Sequence, residues 1–181
     1  MFKHVTIKDE KLFENTLIQW KKDATTFGEF GIFLESEVEQ RLLGLKHQIT
    51  KEADFHCYFL VKDGEDFASS LIEVSHAMPR SENPWLKLFN ITLRPYLLPS
   101  IDGNVNNLTD TLRVITFSIT HTLELMFKDH EAQKLKIFGR TTEMIIYFQI
   151  VAEGGHLDEI LDILHLEAKI EGRWLVLSKI A

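Results

Sequence analysis

The sequence contains a single cysteine, Cys57, so no internal disulfide can form and a disulfide-stabilised fold is excluded. One unpaired cysteine also favours a reducing compartment. No apolar run reaches the roughly 18 residues that a membrane-spanning helix needs, and the N-terminal stretch MFKHVTIKDEK lacks the apolar core of a signal peptide. Together these absences predict a cytoplasmic protein that does not enter a membrane.

Clusters of lysine and arginine are also missing from the sequence. The formal net charge is −7 and the sequence pI is about 5.6, whereas non-specific nucleic-acid binding needs a basic face. Nucleic acid is therefore not expected as a partner. Hydrophobic residues make up 45% of the 181 residues and include 13 phenylalanines and 3 tryptophans, which is enough to build a core. We predict a single domain over residues 1–181.

The N-terminal part of the chain predicts a strand followed by two helices. Residues 4–7 form a short strand-like run, and Asp9 is placed to cap a helix that continues to about Lys22. Residues 24–33, ATTFGEFGIF, contain two glycines and predict a mobile loop. Ser36 opens a capping box with the glutamate three residues later, which predicts that the second helix begins there.

The central part of the chain predicts a sheet. Two strand-like runs, DFHCYFLV (54–61) and FASSLIEVSHA (67–77), flank an Asp63-Gly64 pair that suits a tight turn, because glycine tolerates positive φ. The first run is apolar on both faces, which is typical of a central strand that is covered on both sides. We therefore expect this run to lie inside the sheet and antiparallel to the second. Trp85–Leu93 forms a third long strand.

The C-terminal half predicts a helical crossover between two strands. A helix capped by Asn107 or Thr109 and ending near Lys128 carries one apolar stripe, which we expect to be buried. The members of this stripe are Leu112, Ile115, Ile119, Leu123 and Met126. Because such a helix joins parallel strands, strand 85–94 should neighbour strand 134–138 in parallel. Two more helices and a strand or hairpin close the chain, so the order predicts a mixed α/β sheet with helices on both faces.

Three sequence motifs follow one another in the order found in a known superfamily. ITLRPYL (91–97) ends the third long strand, KLKIFGRTTEMIIYFQIV (134–151) joins a strand to a helix, and EGRWLVLSK (171–179) leads into the closing strand. Together with the element order, these motifs resemble the GNAT superfamily of acyl-CoA-dependent N-acetyltransferases. The resemblance spans roughly residues 4–180 and implies a GNAT-like α/β fold with a central mixed sheet.

The resemblance implies that acetyl-CoA binds where the third long strand ends. There the superfamily places a loop, Q/R-x-x-G-x-G/A, whose backbone N–H groups contact the pyrophosphate beside a helix N-terminus. Here the loop reads YLLPSIDGNVNNLTD and has one glycine, so asparagines that tolerate left-handed conformations would replace the missing glycines. The implied cofactor-binding residues are Leu93, Arg94, Gly103, Asn104 and Asn106.

The resemblance also implies an acid that protonates the departing thiolate, a tyrosine on the helix after the fifth strand in the superfamily. When the motif is aligned on Thr141, that position falls on Phe148, and Tyr147 lies one residue earlier, a rotation of about 100°. Either the register slips and Tyr147 is the acid, or the acid is missing. Glu73 and His76 are the candidate bases, against the alternative of a surface glutamate and a strand-end histidine. Their spacing of three points them to opposite faces of a strand.

Other residue patterns favour a structural interpretation over a metal site. The loop DGNVNNLTDTLR begins with EF-hand spacing, but its twelfth position is Arg113 instead of glutamate, so calcium is rejected. Asp158, Asp162 and His165 share one helical face, which a solvated amphipathic helix explains better than a metal. The eight histidines show no ligand-type clustering. Cys57 lies in the apolar run FHCYF and is expected in the core.

Two functions from different classes follow from these residues. In the first, the chain transfers an acetyl or other acyl group from acetyl-CoA to the amine of a small molecule or peptide. In the second, it keeps the fold as a non-catalytic binding or interaction module. The single loop glycine, Phe148 and the phenylalanine-rich FGEFGIF segment favour the second function. We expect no nucleic-acid or membrane partner for either function. The chain could form a homodimer.

Overall fold

A computed structural model describes residues 1–27, 29–98, 108–140, 142–152 and 158–180. The strands are β1 Phe2–Thr6, β2 Phe55–Lys62, β3 Ala68–Ala77, β4 Trp85–Leu93, β5 Lys134–Phe138, β6 Leu166–Glu171 and β7 Trp174–Lys179; the helices are α1 Glu10–Ala24, α2 Glu29–Lys51, α3 Leu108–Lys128, α4 Thr142–Ala152 and α5 Asp158–Ile163. One sheet contains these strands in the order β1-β2-β3-β4-β5-β7-β6. The predicted mixed α/β class is confirmed. Among the described residues, no helix is long and apolar enough to span a membrane.

The chain divides into two compact units. The first consists of Met1–Glu73 and Ile91–His121, and the second consists of Val74–Asn90 and Thr122–Ala181. Strands β3 and β4 and helix α3 therefore each contribute residues to both units. The expectation of a single domain over residues 1–181 stays a prediction.

Strand β2 lies between β1 and β3, as its two apolar faces predict. Phe59 and Leu60 are consecutive and so point to opposite faces of the strand, yet both are fully buried. Strand β1 pairs antiparallel with β2. The turn from β2 to β3 uses Gly64 at φ +84°, a left-handed conformation that glycine adopts without strain. The predicted turn and the predicted place of β2 inside the sheet are both confirmed.

Helices cover both faces of the sheet in the first unit. Ser70 and Glu73 lie on different faces of β3, because successive residues of a strand alternate. The hydroxyl of Ser70 is 2.8 Å from the hydroxyl of Ser118 on α3, whereas Glu73 forms an ion pair with Arg41 on α2. Helices α3 and α2 therefore pack against opposite faces of β3, as the sequence predicts.

Helix α1 begins where the sequence predicts. The side chain of Asp9 accepts a hydrogen bond from the backbone N–H of Leu12 at 3.0 Å, which caps the first turn. The indole N–H of the buried Trp20 donates to the carbonyl of Ala68 at 2.7 Å. The backbone N–H of Ala68 in turn donates a hydrogen bond to the hydroxyl of Thr16 at 3.0 Å. These bonds attach the buried face of α1 to the start of β3.

Helix α2 begins at Glu29, well before the predicted start at Ser36. The prediction of a loop over residues 24–33 is wrong, because a 3₁₀ turn occupies Thr25–Phe27 and α2 follows. Ser36 lies inside the helix, where its hydroxyl accepts a hydrogen bond from the Gln40 amide at 3.3 Å. The helix therefore starts within the segment whose glycines suggested a loop.

Gly31 lies where α2 passes close to the end of α1. A Cβ at this position would overlap the carbonyl oxygen of Ala24 and lie 3.1 Å from the Cα of Thr25. We expect Gly31→Ala to lower the free energy of unfolding by about 1–3 kcal/mol, because backbone atoms must move. Gly44 on the same helix faces open space, so Gly44→Ala should raise it by about 0.5–1 kcal/mol. Urea denaturation measures both changes. A change of the same sign in the free energy of unfolding of the two variants would contradict the close approach of α2 to the end of α1.

The buried face of α3 differs from the predicted stripe. Leu112 is 54% exposed, and Met126 is the one member of that stripe that is fully buried. The buried residues of α3 are Val114, Ser118, His121, Thr122, Leu125 and Met126. The prediction was wrong because half of this face is polar: Ser118, for example, donates to the carbonyl of Val114 at 2.8 Å and contacts Ser70. Apolar periodicity cannot indicate polar residues whose partners lie on a neighbouring strand.

In the second unit, β5 pairs with both β4 and β7. Residues Trp85–Leu88 pair in parallel with Lys134–Ile137, which confirms the predicted crossover through α3. Strand β7 pairs antiparallel with β5 and with β6. Gly172 at φ +63° closes the β6–β7 hairpin. Of the strand or hairpin predicted for the closing segment, the hairpin is therefore the form present. The predicted end of α4 at Gly154 and Gly155 lies outside the described residues.

Candidate functional site

Strand β4 is longer than its parallel ladder with β5. The ladder pairs Trp85–Leu88 with Lys134–Ile137, whereas β4 continues to Leu93. One residue beyond the ladder, the carbonyl of Phe89 accepts a hydrogen bond from the Nε of Arg140 at 3.3 Å. The β5 ladder thus covers the first part of β4 only. The second part leads to the end where the sequence predicts cofactor binding.

The predicted cofactor-binding loop is only partly described. Gly103, Asn104 and Asn106 lie within residues 99–107, outside the described residues. Leu93 is the last residue of β4 and is half-buried. Where the description resumes, α3 begins at Leu108 and carries the exposed Arg113 in its second turn, 3.6 Å from Asp110. Arg113 is therefore an exposed cation near the start of the helix.

Arg94 attaches the end of β4 to α1. Its Nε and Nη2 both donate to the carboxylate of Asp23, the second at 3.1 Å. Its guanidinium carbon lies 4.5 Å from the ring centroid of Phe67 and 5.2 Å from that of Tyr96. The side chains of Arg94 and Asp23 are 17% and 9% exposed. This predicted cofactor ligand is thus engaged by a buried carboxylate and two aromatic rings.

A pocket of about 330 Å³ lies beside Arg94 in the first unit. Its charged lining residues are Lys62, Glu65, Arg94, Asp110 and Arg113. The Oε2 atom of Glu65 is buried and has no hydrogen-bond partner among the described residues. Because the lining carries both signs of charge, the pocket suits a polar ligand better than an apolar one. Sequence reasoning missed it, since its residues come from β1, β2, the turn that follows β2, β3, the segment after β4, and α3.

Glu73 lies beside the second part of β4. It is 5% exposed, forms an ion pair with Arg41, and accepts a hydrogen bond from the hydroxyl of Thr92 at 3.5 Å. Thr92 precedes Arg94 by two residues, so the fold brings this candidate base close to the end of β4. Sequence reasoning missed Arg41, because nothing in the pattern of α2 distinguishes it from other surface cations.

His76 lies near the end of β3 in the second unit. Its ring centroid is 5.0 Å from that of His130, which follows α3. Its Nε2 atom is buried and has no hydrogen-bond partner within the described part of the chain. A neutral imidazole nitrogen can donate or accept a hydrogen bond, depending on the tautomer. By strand alternation His76 points to the face opposite Glu73, so the two candidate bases do not share one face.

Helix α4 places Phe148 in the core. Phe148 is 2% exposed, and a Cβ on Gly139 would lie 3.1 Å from its ring. The residue at the superfamily's tyrosine position is therefore a packing residue. Tyr147 belongs to the same helix, but its side chain lies outside the described residues. Whether Tyr147 is the acid or the acid is missing stays a prediction.

Cys57 is 2% exposed in β2. Burial, with a smaller contribution from the charge of Glu73, raises the pKa of its thiol far above the ordinary value. Because the thiolate is the nucleophilic form, such a thiol is unreactive at neutral pH. The predicted core role of Cys57 is confirmed.

Comparison with known proteins relates the fold, and not the sequence, to a known superfamily. No family model and no curated protein matches the sequence. The solved structure of AtaT complexed with acetyl-methionyl-tRNAfMet matches with a TM-score of 0.51 at 9% identity, over 98% of this chain and 95% of that one. The Campylobacter jejuni N-acetyltransferase PseH in complex with acetyl coenzyme A gives 0.49 at 10% identity, over 98% and 96%. The chain has the GNAT fold, which confirms the fold that the resemblance implies.

Proposed function

We propose that the chain is an acyl-CoA-dependent N-acyltransferase, which transfers an acetyl or other acyl group to the amine of a small molecule or peptide. The observation that carries the proposal is the end of β4, where the strand continues to Leu93 beyond its ladder with β5. An extended ligand with amide groups, such as the pantetheine arm of coenzyme A, can pair with such a strand as a neighbouring strand does. The GNAT fold supports the same assignment.

Acyl transfer from a thioester to an amine moves the acyl carbon from sulfur to nitrogen, while one proton leaves the nitrogen and one reaches the sulfur. Glu73, which accepts a hydrogen bond from Thr92 near the end of β4, is one proposed base for the amine. His76, with its buried Nε2, is the other. Tyr147 is the proposed acid for the thiolate. The strands that hold both reactants in attack geometry would supply most of the remaining rate enhancement.

The residues near the start of α3 fit the phosphate groups of coenzyme A. The exposed Arg113 supplies a cation, and Gly103, Asn104 and Asn106 precede the helix in sequence, where backbone N–H groups can contact a phosphate. Arg94 is already engaged by Asp23, so its proposed role is to position the end of β4.

A non-catalytic interaction module is the second candidate function. The buried Phe148 at the superfamily's tyrosine position favours it, because the chain then lacks the usual acid there. So do Ile32 and Phe33 on α2, which are 76% and 64% exposed and could contact a partner protein. This module would keep the fold and the apolar surface of α2 without binding coenzyme A.

Calorimetric titration with coenzyme A and acetyl-CoA tests the first function against the second. We expect binding to wild-type protein and a Kd roughly 5- to 150-fold weaker for Gly103→Val, which corresponds to about 1–3 kcal/mol for a lost hydrogen bond to a charged group. A β-branched side chain at Gly103 would keep the backbone away from the phosphate. Gly44→Val, at an exposed helix position, should bind like wild type.

The absence of binding heat at millimolar coenzyme A, with folded protein, would contradict the enzyme proposal. Equal binding by Gly103→Val and wild type would retain the enzyme but remove the loop from the phosphate site. If the chain is a non-catalytic module, neither wild type nor any variant should give binding heat with coenzyme A.

A further inference from the structure

The pocket beside Arg94 is a site of the first unit, to which all the described residues of its lining belong. The sheet reaches the pocket where β1 begins and β2 ends, and α3 lines it with residues of its first three turns. Its volume of about 330 Å³ lies at the lower end of the roughly 300–1,000 Å³ that small-molecule sites occupy. A pocket of this size suits one small metabolite.

One side of the pocket is an apolar wall. The rings of Phe2 and Phe117 lie 4.8 Å apart, centroid to centroid, at an angle of 35°. Both rings pack against the buried cluster of Leu60, Leu97 and Val114, and all of these residues except Leu60 line the pocket. Such a wall gains free energy when it removes the apolar part of a ligand from water. It therefore accepts an apolar side chain.

The lining also contains a carboxylate oxygen without a partner. Glu65 lies in the turn after β2, and its buried Oε2 atom has no hydrogen-bond partner within the described part of the chain. Because buried polar atoms are nearly always hydrogen-bonded, this oxygen calls for a donor. Rotation about the last torsion of the side chain can turn either carboxylate oxygen toward the pocket. An ammonium group on a ligand, with three N–H donors and a positive charge, is the best match.

Cations line the pocket as well. Arg113 on α3 is exposed and lies 3.6 Å from Asp110, and Lys62 ends β2 with an exposed side chain. Exposed ion pairs are weak, so Arg113 keeps donors for a ligand. Arg94, the third cation of the lining, already donates two hydrogen bonds to Asp23. An anionic group on a ligand would therefore meet Arg113 or Lys62.

We propose that this pocket binds a small zwitterion of the α-amino-acid class with an apolar side chain. Its ammonium group would donate to Glu65, its carboxylate would accept from Arg113 or Lys62, and its side chain would pack on the apolar wall. An α-amino acid carries these three groups on one carbon atom, whereas a simple amine or carboxylic acid lacks one of them. Neither Glu73 nor Thr92 lines the pocket, so the bound amino acid is not placed by the proposed base.

Calorimetric titration with L-phenylalanine tests the pocket, because this probe carries all three groups. We expect binding heat with wild type and a Kd roughly 10- to 100-fold weaker for Glu65→Gln, which keeps the size of the side chain but loses its charge. Lys62→Gln combined with Arg113→Gln should weaken binding about 10-fold. The control is Glu37→Gln on α2, exposed and outside the lining, which should bind like wild type.

Two further probes test the class of ligand. 3-Phenylpropanoate lacks the ammonium group, and 2-phenylethylamine lacks the carboxylate. Each should bind wild type about 10-fold more weakly than L-phenylalanine or worse, because one charged group of the lining is then left without its partner. Equally tight binding of either probe would overturn the assignment of a zwitterion.

Backbone amide chemical shifts of wild type, measured by NMR during the same titration, locate the ligand without any variant. The amides of Lys62, Glu65 and Arg113 should shift, whereas that of Glu37 should not. No binding heat and no shift changes at millimolar L-phenylalanine would overturn the proposal, as would undiminished binding by folded Glu65→Gln. Shift changes confined to residues outside the lining would overturn it too. None of these measurements uses coenzyme A, so their failure would leave the acyl-transfer proposal unaffected.

Discussion

Tyr147→Phe is expected to lower kcat for acyl transfer about 100-fold, a typical contribution of one acid–base group. The phenol would protonate the departing thiolate, and phenylalanine keeps the ring but removes the proton. Initial rates under saturating acetyl-CoA measure kcat for wild type and for the variant.

Two further variants separate chemistry from packing in this experiment. Tyr58→Phe removes a phenol from β2, distant in sequence from α4, and should leave kcat unchanged. Phe148→Leu removes part of a buried ring and should lower the free energy of unfolding by up to about 1.5 kcal/mol, as for other hydrophobic replacements. A normal rate for Tyr147→Phe would show that the thiolate needs no acid from this helix, in agreement with the packing role of Phe148.

Asp23→Ala is expected to lower the free energy of unfolding by about 3 kcal/mol, because it leaves the half-buried guanidinium of Arg94 without its carboxylate. Asp23 also accepts a hydrogen bond from the Gln19 amide at 2.8 Å, so the variant leaves a second polar group without its partner. The two charged side chains are only 9% and 17% exposed, and water cannot readily replace the lost partner. Urea denaturation gives the change from the midpoint and the slope.

Glu10→Ala is the matched control for this ion pair. Glu10 pairs with Lys46 in the same unit, but its side chain is 69% exposed. Exposed pairs contribute about 0–1 kcal/mol because water and salt screen them. A loss below about 1 kcal/mol for Asp23→Ala, equal to the control, would show that Arg94 is hydrated and does not hold the end of β4 to α1.

Local sequence signals predicted most of the fold. Asp9 caps α1 and Gly64 turns the β2–β3 connection, and both features depend on residues within a few positions of one another. The parallel pairing of β4 and β5 followed from the length and amphipathic pattern of the connecting helix. The predicted start of α2 was wrong because Gly31 was interpreted as a loop residue. In the fold its missing side chain lets α2 pass close to the backbone of Ala24. Periodicity within one helix cannot show such a contact with another.

The candidate site was less predictable because its pairs are distant in sequence. Glu73 and Arg41 are separated by 32 positions, and Arg94 and Asp23 by 71. Residue types indicated that Glu73 and Arg94 were polar residues beside a sheet, but a single sequence does not say which opposite charge each of them meets. That Glu73 and His76 point to opposite faces of β3 could be predicted, since this follows from the two-residue period of a strand.

The β6–β7 hairpin bears on the colloidal behaviour of the protein. Strand β6 ends the sheet order, and it exposes Glu167, Lys169 and Glu171 at alternate positions. Two copies of β6 pairing antiparallel about Lys169 would set lysine against lysine and Glu167 against Glu171, and like charges directly opposite repel. Sheet growth from this edge, the usual route to fibrils and amorphous precipitate, is therefore disfavoured by three side chains. A homodimer built symmetrically on this register would meet the same repulsion.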